Sequence, residues 1–176
     1  MEPLIGLVGF AGSGKSLAAD LLVGIFADNG VEVARLSFST AVKNIARDSF
    51  GWDGEKDEKG RRLLQVIGTE AGRHYNPTIW LDKVHEEVTT RRATGVGTII
   101  DDVRFVNEGV RIQELSGTIW RMFGRGGLNG SAGLHPSEIE VPRVKYDIEV
   151  DNDEGESVHQ LKARLIDGLL CLGLLD

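Results

Sequence analysis

Close to the N-terminus, a glycine-rich segment leaves the chain few choices of fold. Residues 9–16 read Gly-Phe-Ala-Gly-Ser-Gly-Lys-Ser and fit the pattern G-x-x-x-x-G-K-[ST] at every position. The apolar run Leu4–Val8 precedes this segment, and apolar residues at helical spacing follow it. A buried strand, a glycine turn and a helix in this order predict a phosphate-binding loop, or P-loop.

Each residue type in the P-loop has a chemical reason. Glycine permits backbone conformations in which successive N–H groups turn inward around phosphate oxygens. The following helix points the positive end of its dipole at the same anion. We expect Lys15 to reach the β- and γ-phosphates of ATP and the Ser16 hydroxyl to ligate Mg²⁺. The expected ATP-binding residues are Gly12, Ser13, Gly14, Lys15 and Ser16.

The rest of the chain alternates between strand and helix patterns. Short apolar runs predict further strands at residues 31–38, 97–102, 118–123 and 147–151, with helices between them. No internal repeat or linker interrupts this alternation. The sequence therefore predicts one α/β domain over residues 1–176 with the P-loop NTPase fold, a mostly parallel five-stranded sheet flanked by helices.

Two segments between the predicted strands have distinctive patterns. Residues 59–92 are helical in pattern, with a polar stripe at every fourth position and a second helix start at Asn76–Pro77. Five glycines fall within residues 124–133, which is too many for a regular element. We expect a glycine-rich lid loop there, over about 124–137, that closes over the phosphates and excludes water. The polar stripe consists of Arg61, Gln65 and Thr69.

Composition excludes several classes of protein. Acidic residues outnumber basic ones 27 to 20, so the formal net charge of −7 disfavours non-specific binding of nucleic acid. No apolar stretch approaches the roughly 20 residues that cross a bilayer, and the N-terminus has no secretory pattern. The single cysteine, Cys171, cannot form an internal disulfide. We expect a cytoplasmic protein whose partners are small-molecule nucleotides, and the sequence leaves open whether it forms a homodimer.

Arginines near the predicted carboxyl edge of the sheet favour phosphoryl transfer over a nucleotide switch. The chain has no Asn-Lys-x-Asp run of the guanine-specific switches, whereas Arg73, Arg104 and Arg125 lie in or near this edge. Transfer between two anions needs positive charge on both of them, and arginine supplies it bidentately. Asp101–Asp102 ends the third predicted strand and offers a carboxylate for Mg²⁺, for the acceptor, or for a helix cap.

Further motifs then occur in a specific order. Residues 61–69 fit R-x-x-L-Q-x-x-G-T, and residues 102–108 fit D-x-R-x-x-x-E. With these motifs after its P-loop, the chain resembles the bacteriophage deoxynucleoside monophosphate kinases, a family within the nucleoside monophosphate kinase-like P-loop proteins. The resemblance extends over most of the chain and also involves Ser37–Phe38, Lys43, Arg73, Trp80, residues 135–138, residues 147–150 and Asn152–Asp153.

The resemblance implies ATP-dependent phosphorylation of deoxynucleoside 5′-monophosphates to diphosphates, in the host cytoplasm if the protein is phage-encoded. It implies an acceptor-binding helical region at about 39–92 and a catalytic set of Lys15, Arg104 and Arg125, with Ser16 and Asp102 for Mg²⁺. The implied acceptor residues are Phe38, Lys43, Arg61, Arg62, Gln65, Thr69, Arg73, Asp102, Arg104 and Glu138.

Two departures from the family leave alternatives open. Gly124 stands where the family has an arginine, so either Arg121 or Arg125 serves the lid, and residues 153–157 carry extra acidic groups near the expected ATP base. A kinase for another small acceptor, such as dephospho-coenzyme A, and a nucleotide-gated regulatory NTPase are the alternative functions.

Overall fold

A computed structural model describes residues 2–55, 57–127, 136–155 and 157–175. Its strands are β1 (Leu4–Val8), β2 (Val33–Leu36), β3 (Gly97–Val103), β4 (Thr118–Phe123) and β5 (Ile148–Asp151). Its α-helices are α1 (Lys15–Asp28), α2 (Ser39–Phe50), α3 (Glu58–Gln65), α4 (Ile79–Ala93), α5 (Val106–Glu114), α6 (Pro136–Ile139) and α7 (Val158–Cys171). A π-helical segment (Val66–Arg73) continues α3, and a 3₁₀ turn (Val141–Arg143) follows α6.

The five strands form one parallel sheet in the order β2-β3-β1-β4-β5, which confirms the predicted fold class. The central strand β1 is buried along its whole length, as expected of a strand covered on both faces. Because the strands are parallel, their carboxyl ends meet at one edge of the sheet. The P-loop, Ser37, Asp102 and Asn152 all lie at or directly after strand ends on that edge.

Helices cover both faces of the sheet. On one face α1 and α7 bury side chains such as Phe26 and Leu165 against Trp120 of β4. On the other face α2, α4 and α5 pack around Ile100, with Val84 and Ile112 fully or nearly buried. Within the parts of the chain that the structure describes, no helix is both long and apolar enough to cross a membrane.

Some predicted boundaries were wrong by a few residues. Strand β2 is shorter than the predicted 31–38, because Ser37 leaves the sheet to bind Asp102. Helix α4 begins at Ile79, so Asn76–Pro77 lies before the helix instead of inside its first turn. The Asn76 side chain still organises the start of this helix, since its Oδ1 accepts the Thr78 N–H at 3.1 Å.

The helical stretch after residue 58 changes its geometry at Val66. The π-helical segment follows an i→i+5 hydrogen-bond pattern, so the four-residue spacing of the polar stripe does not keep one face beyond Gln65. Trp80 holds this segment from α4: its indole N–H donates to the Gly68 carbonyl at 2.8 Å, and its ring leaves no space for a side chain at Gly72. Trp80 is therefore a core residue.

Candidate active site

The P-loop connects β1 to α1 with two glycines in the left-handed region. Gly12 has φ +81° and Gly14 has φ +93°, conformations that favour glycine over any other residue. Ser13 and Lys15 are buried, whereas Ser16 is exposed in the first turn of α1. The helix therefore begins at the loop, as phosphate binding at a helix N-terminus requires.

Lys15 is folded into the P-loop. Its ammonium donates to the carbonyl oxygens of Gly9 and Phe10, both at 2.7 Å, and only 6% of the residue is exposed. Burial, together with the positive charge of Arg104, lowers the pKa of Lys15 to about 7, although nearby carboxylates act in the opposite direction. A phosphate in the loop would favour the charged form of this lysine.

Glu138 connects Arg104 to the P-loop. The Arg104 guanidinium donates to one Glu138 oxygen, and the other oxygen accepts the Ala11 N–H at 3.3 Å. Glu138 is 5% exposed and lies on α6, just after the predicted lid. This pair brings a residue of the D-x-R-x-x-x-E motif directly beside the phosphate-binding backbone.

Arg73 lies in the same region and is held by Glu108. The Arg73 guanidinium donates to Glu108 and stacks over the Phe105 ring, 4.0 Å from its centroid. The second Glu108 oxygen accepts the N–H groups of Arg104 at 2.7 Å and of Phe105 at 3.0 Å. The sequence placed Glu108 in a motif without a role, and its position three residues into α5 was the signal of a helix-capping glutamate.

Asp102 caps a helix, but not the one that follows its own strand. Its carboxylate accepts the N–H groups of Phe38 at 2.8 Å and Ser39 at 3.0 Å, together with the Ser37 hydroxyl. These three donors are at the start of α2, which is 63–65 residues earlier in the chain. Asp101 pairs instead with Arg35 of β2.

The first residues of the predicted lid lie on the P-loop. The Gly127 N–H donates to the Ala11 carbonyl at 2.7 Å, and a Cβ on Gly126 would be 2.5 Å from the same oxygen. Arg125 lies beside the loop, since a Cβ built on Gly14 would be 3.2 Å from its Nη2, and among the described residues its buried Nε has no hydrogen-bond partner. Residues 128–135, which are most of the predicted lid and include His135, lie outside the described part of the chain.

Arg121, the other lid candidate, points elsewhere. It pairs with Glu149 of β5 at 3.5 Å and lies over the rings of Phe123 and Tyr146. Asn152, which had no assigned role, supports the loop: it is 2% exposed, and its side-chain amide donates to the Ser13 carbonyl at 2.8 Å. Of these two arginines, Arg125 is thus the one beside the P-loop, and Arg121 is paired with Glu149 on the sheet.

The remaining acceptor candidates are divided between two grooves. A groove of about 770 Å³ is lined by Thr69, Arg73, Phe105 and Pro136, beside the Arg104–Glu138 pair. A second groove of about 480 Å³ lies between α2 and α4 and contains Phe38 and Lys43, with Phe38 largely buried. Arg62 pairs with Glu70 on the surface, Arg61 is exposed, and Gln65 is half-buried.

The donor groups present fit Mg²⁺ bound together with nucleotide phosphates. No group of three or more His, Cys, Asp or Glu side chains suited to a metal occurs within the described residues. Ser16 offers an exposed hydroxyl at the end of the P-loop. Asp102 uses three of the roughly four lone-pair sites of a carboxylate, which leaves one for a metal-bound water.

Known proteins resemble this chain in sequence and in fold. No protein-family model matches the chain. It is similar to a protein of Acanthamoeba polyphaga mimivirus that carries the provisional name deoxynucleotide monophosphate kinase, with 29% identity over 86% of this chain and 89% of the viral protein.

Solved structures share the architecture at low sequence identity. Shikimate kinase from Aquifex aeolicus aligns with a TM-score of 0.57 and 13% identity over 97% of this chain and 98% of its own. The Mycobacterium tuberculosis APS kinase in complex with AMPPNP and APS gives a TM-score of 0.53 and 12% identity over 96% and 98% of the two chains. The chain has the fold of the P-loop kinases. At these identities the likeness concerns the fold alone.

Proposed function

We propose that this protein is a kinase that transfers the γ-phosphate of ATP to a deoxynucleoside 5′-monophosphate. The observation that carries the proposal is the position of Arg104, which Glu138 joins to the Ala11 N–H in the same loop as Lys15. One cleft thus holds a cation for the donor phosphates and another for an acceptor phosphate. The name of the mimiviral relative supports a deoxynucleotide acceptor.

The P-loop side of the cleft would bind ATP. The backbone N–H groups of residues 12–16 surround the phosphates, and Lys15 neutralises charge on the β- and γ-phosphates. Arg125 adds positive charge from the lid side, because its guanidinium lies beside the loop at Gly14. Ser16 would hold Mg²⁺ directly and Asp102 through water, and the ion would supply further neutralisation of the phosphate charge.

The opposite side would bind the acceptor. Arg104 and Arg73 hold its phosphate, and the large groove beside Arg73 receives the nucleoside, with Thr69 in its wall. Arg61 or Arg62, together with Gln65, would contact the acceptor from α3, in the helical region before the groove residues in the chain. Phe38 and Lys43 lie further out, in the second groove.

The chemistry needs no general base. An oxygen of the acceptor phosphate, already ionised at neutral pH, attacks the γ-phosphorus of ATP. A new P–O bond forms, the bond to the bridging oxygen of the β-phosphate breaks, and ADP leaves with that electron pair. Catalysis then consists of positioning and electrostatic stabilisation, for which loss of a charge clamp costs on the order of 10³-fold in rate.

A coupled assay with ATP, Mg²⁺ and each deoxy- and ribonucleoside monophosphate in turn tests the proposal. We expect stoichiometric diphosphate formation from at least one deoxynucleotide. Hydrolysis to free phosphate regardless of acceptor would support the regulatory NTPase instead, and activity only with dephospho-coenzyme A would support a different acceptor.

Two substitutions test which side of the cleft binds ATP and which side binds the acceptor. We expect Lys15→Ala to abolish transfer and Arg104→Ala to weaken acceptor use far more than ATP binding, as measured by separate titrations. Lys162→Ala is a matched control, because Lys162 pairs with Asp28 on the surface, away from the cleft. Equal losses of ATP and acceptor affinity in Arg104→Ala would contradict the assignment.

A further inference from the structure

A buried carboxylate lies beneath both proposed acceptor arginines. Glu108 is 1% exposed, and each of its two oxygens has a separate task. One oxygen accepts from the Arg73 guanidinium, and the other accepts the backbone N–H groups of Arg104 and Phe105. Glu108 therefore contacts the side chain of one arginine and the main chain of the other.

Capping alone does not explain a charged residue at this position. A glutamate at the third position of a helix often accepts the N–H that precedes the helix, and a neutral glutamine does the same. Burial of a carboxylate is costly unless a cation compensates for it, and Arg73 is the cation in contact with it. The negative charge of Glu108 is thus directed at Arg73.

The contact with Glu108 fixes the plane of the Arg73 guanidinium. The guanidinium stacks over the Phe105 ring at 4.0 Å from its centroid, and Glu108 also holds the Phe105 N–H at 3.0 Å. The Phe105 ring and the Glu108 carboxylate, which both contact the Arg73 guanidinium, therefore belong to one unit at the start of α5. The same unit sets the backbone of Arg104, whose N–H is 2.7 Å from Glu108.

We infer that Glu108 is a positioning residue. It fixes the positions of Arg73 and Arg104 relative to one another, so that both guanidiniums bind the same acceptor phosphate. This inference rests on the proposed function. It predicts that loss of the Glu108 charge releases Arg73 while the fold and the P-loop remain intact. The effect then falls on the acceptor and spares ATP.

The surroundings of Glu108 give this role a pH dependence. Arg73 faces it from the π-helical segment and Asp102 from β3, and the N–H groups of Arg104 and Phe105 face it from the start of α5. Burial raises the pKa of Glu108 to about 7, although Arg73 acts in the opposite direction. Above this pH the carboxylate is charged and retains Arg73, whereas below it protonation weakens that contact.

The test compares the variant Glu108→Gln with the wild type in steady-state assays between pH 6 and 9. Glutamine keeps an oxygen for the two backbone N–H groups and presents no charge to Arg73. We expect the KM for the acceptor to rise about tenfold at pH 8–9 and the ratio of variant to wild type to shrink towards pH 6. The Kd for ATP should change little, and a cooperative thermal transition should show that the variant is folded. Glu32→Gln, an exposed glutamate outside the cleft, is the control.

A double-mutant cycle with Arg73→Met separates positioning from general stability. If Glu108 acts through Arg73, the two substitutions together raise the acceptor KM little more than Arg73→Met alone. Three results would each overturn the inference while the wild type still shows kinase activity. They are an unchanged acceptor KM in Glu108→Gln, fully additive effects of the two substitutions on that KM, and a ratio of variant to wild-type KM that does not depend on pH. A wild type that phosphorylates no nucleoside monophosphate would overturn the proposed function and this inference with it.

Discussion

Glu138 and Arg104 form an ion pair against the P-loop. The guanidinium donates to one carboxylate oxygen, and the other oxygen accepts the Ala11 N–H at 3.3 Å. Glu138 is almost completely buried, whereas the Arg104 side chain is 25% exposed, and the contacts join three elements that are distant in sequence. The orientation of Arg104, which we propose to bind the acceptor, therefore depends on Glu138, a residue just after the predicted lid.

Glu138→Gln should weaken acceptor binding selectively. Glutamine retains an oxygen for the Ala11 N–H but does not hold the Arg104 guanidinium as an ion pair. We expect the acceptor KM to rise about tenfold and the Kd for ATP to remain within about twofold. Glu149→Gln is the control, because Glu149 pairs with Arg121 on the sheet and lines neither of the two grooves. A loss of ATP affinity equal to the loss of acceptor affinity would argue against this role.

Lys15→Met should make the protein more stable and inactive. The pKa of Lys15 in the folded protein, about 7, lies below the ordinary lysine value of 10.5, so the folded protein disfavours the protonated lysine. The resulting penalty is fully present below pH 7 and disappears as the pH rises towards 10.5. The gain in thermal midpoint from Lys15→Met should therefore be larger at pH 6 than at pH 9. The exposed Lys162→Met variant should show no such trend, and a gain that grows with pH would contradict the explanation.

Asn152→Ala should loosen the P-loop. The substitution leaves the Ser13 carbonyl without the amide that donates to it at 2.8 Å in a buried position. A buried group left unpaired costs about 1–3 kcal/mol. We expect a lower free energy of unfolding by chemical denaturation and weaker ATP binding by calorimetry. Asn44→Ala, at an exposed position on α2, should change neither quantity. Unchanged ATP affinity in Asn152→Ala would show that the loop keeps its shape without this contact.

Gly126→Ala should lift the start of the lid off the P-loop. A methyl group there would lie 2.5 Å from the Ala11 oxygen and 2.6 Å from the Ser13 nitrogen. Gly127→Ala is a matched control: φ is also positive there, at +126°, but no described atom lies within 4 Å of the added carbon. Both variants carry backbone strain, and only Gly126→Ala has the clash. We expect kcat to fall about tenfold more in Gly126→Ala, and equal losses would assign the effect to strain alone.

Local sequence patterns determine the parts of this structure that could be predicted. The apolar run Leu4–Val8, the glycines of the P-loop and the helical spacing after Lys15 each act over a few residues, and they are sufficient for the parallel sheet and the loop. The sequence does not decide whether Arg121 or Arg125 is the lid arginine, because that choice depends on which of the two lies beside Gly14 in the fold.

The unpredicted features are long-range contacts. Asp102 caps a helix that begins 63 residues earlier, Asn152 supports a loop 139 residues away, and Glu108 holds an arginine 35 residues before it. Each pairing is set by the order of the strands, which one sequence does not reveal. The π geometry of Val66–Arg73 likewise depends on packing against Trp80 in the next helix.

The order of the proposed site residues along the chain has a consequence for evolution. Residues proposed for the acceptor, apart from Glu138, occur between the end of β2 and the first turn of α5, whereas those proposed for ATP and its Mg²⁺, apart from Asp102, precede or follow that stretch. Selection can therefore alter which molecule is phosphorylated within one continuous interval of the gene, while the machinery that handles the phosphate donor is inherited unchanged.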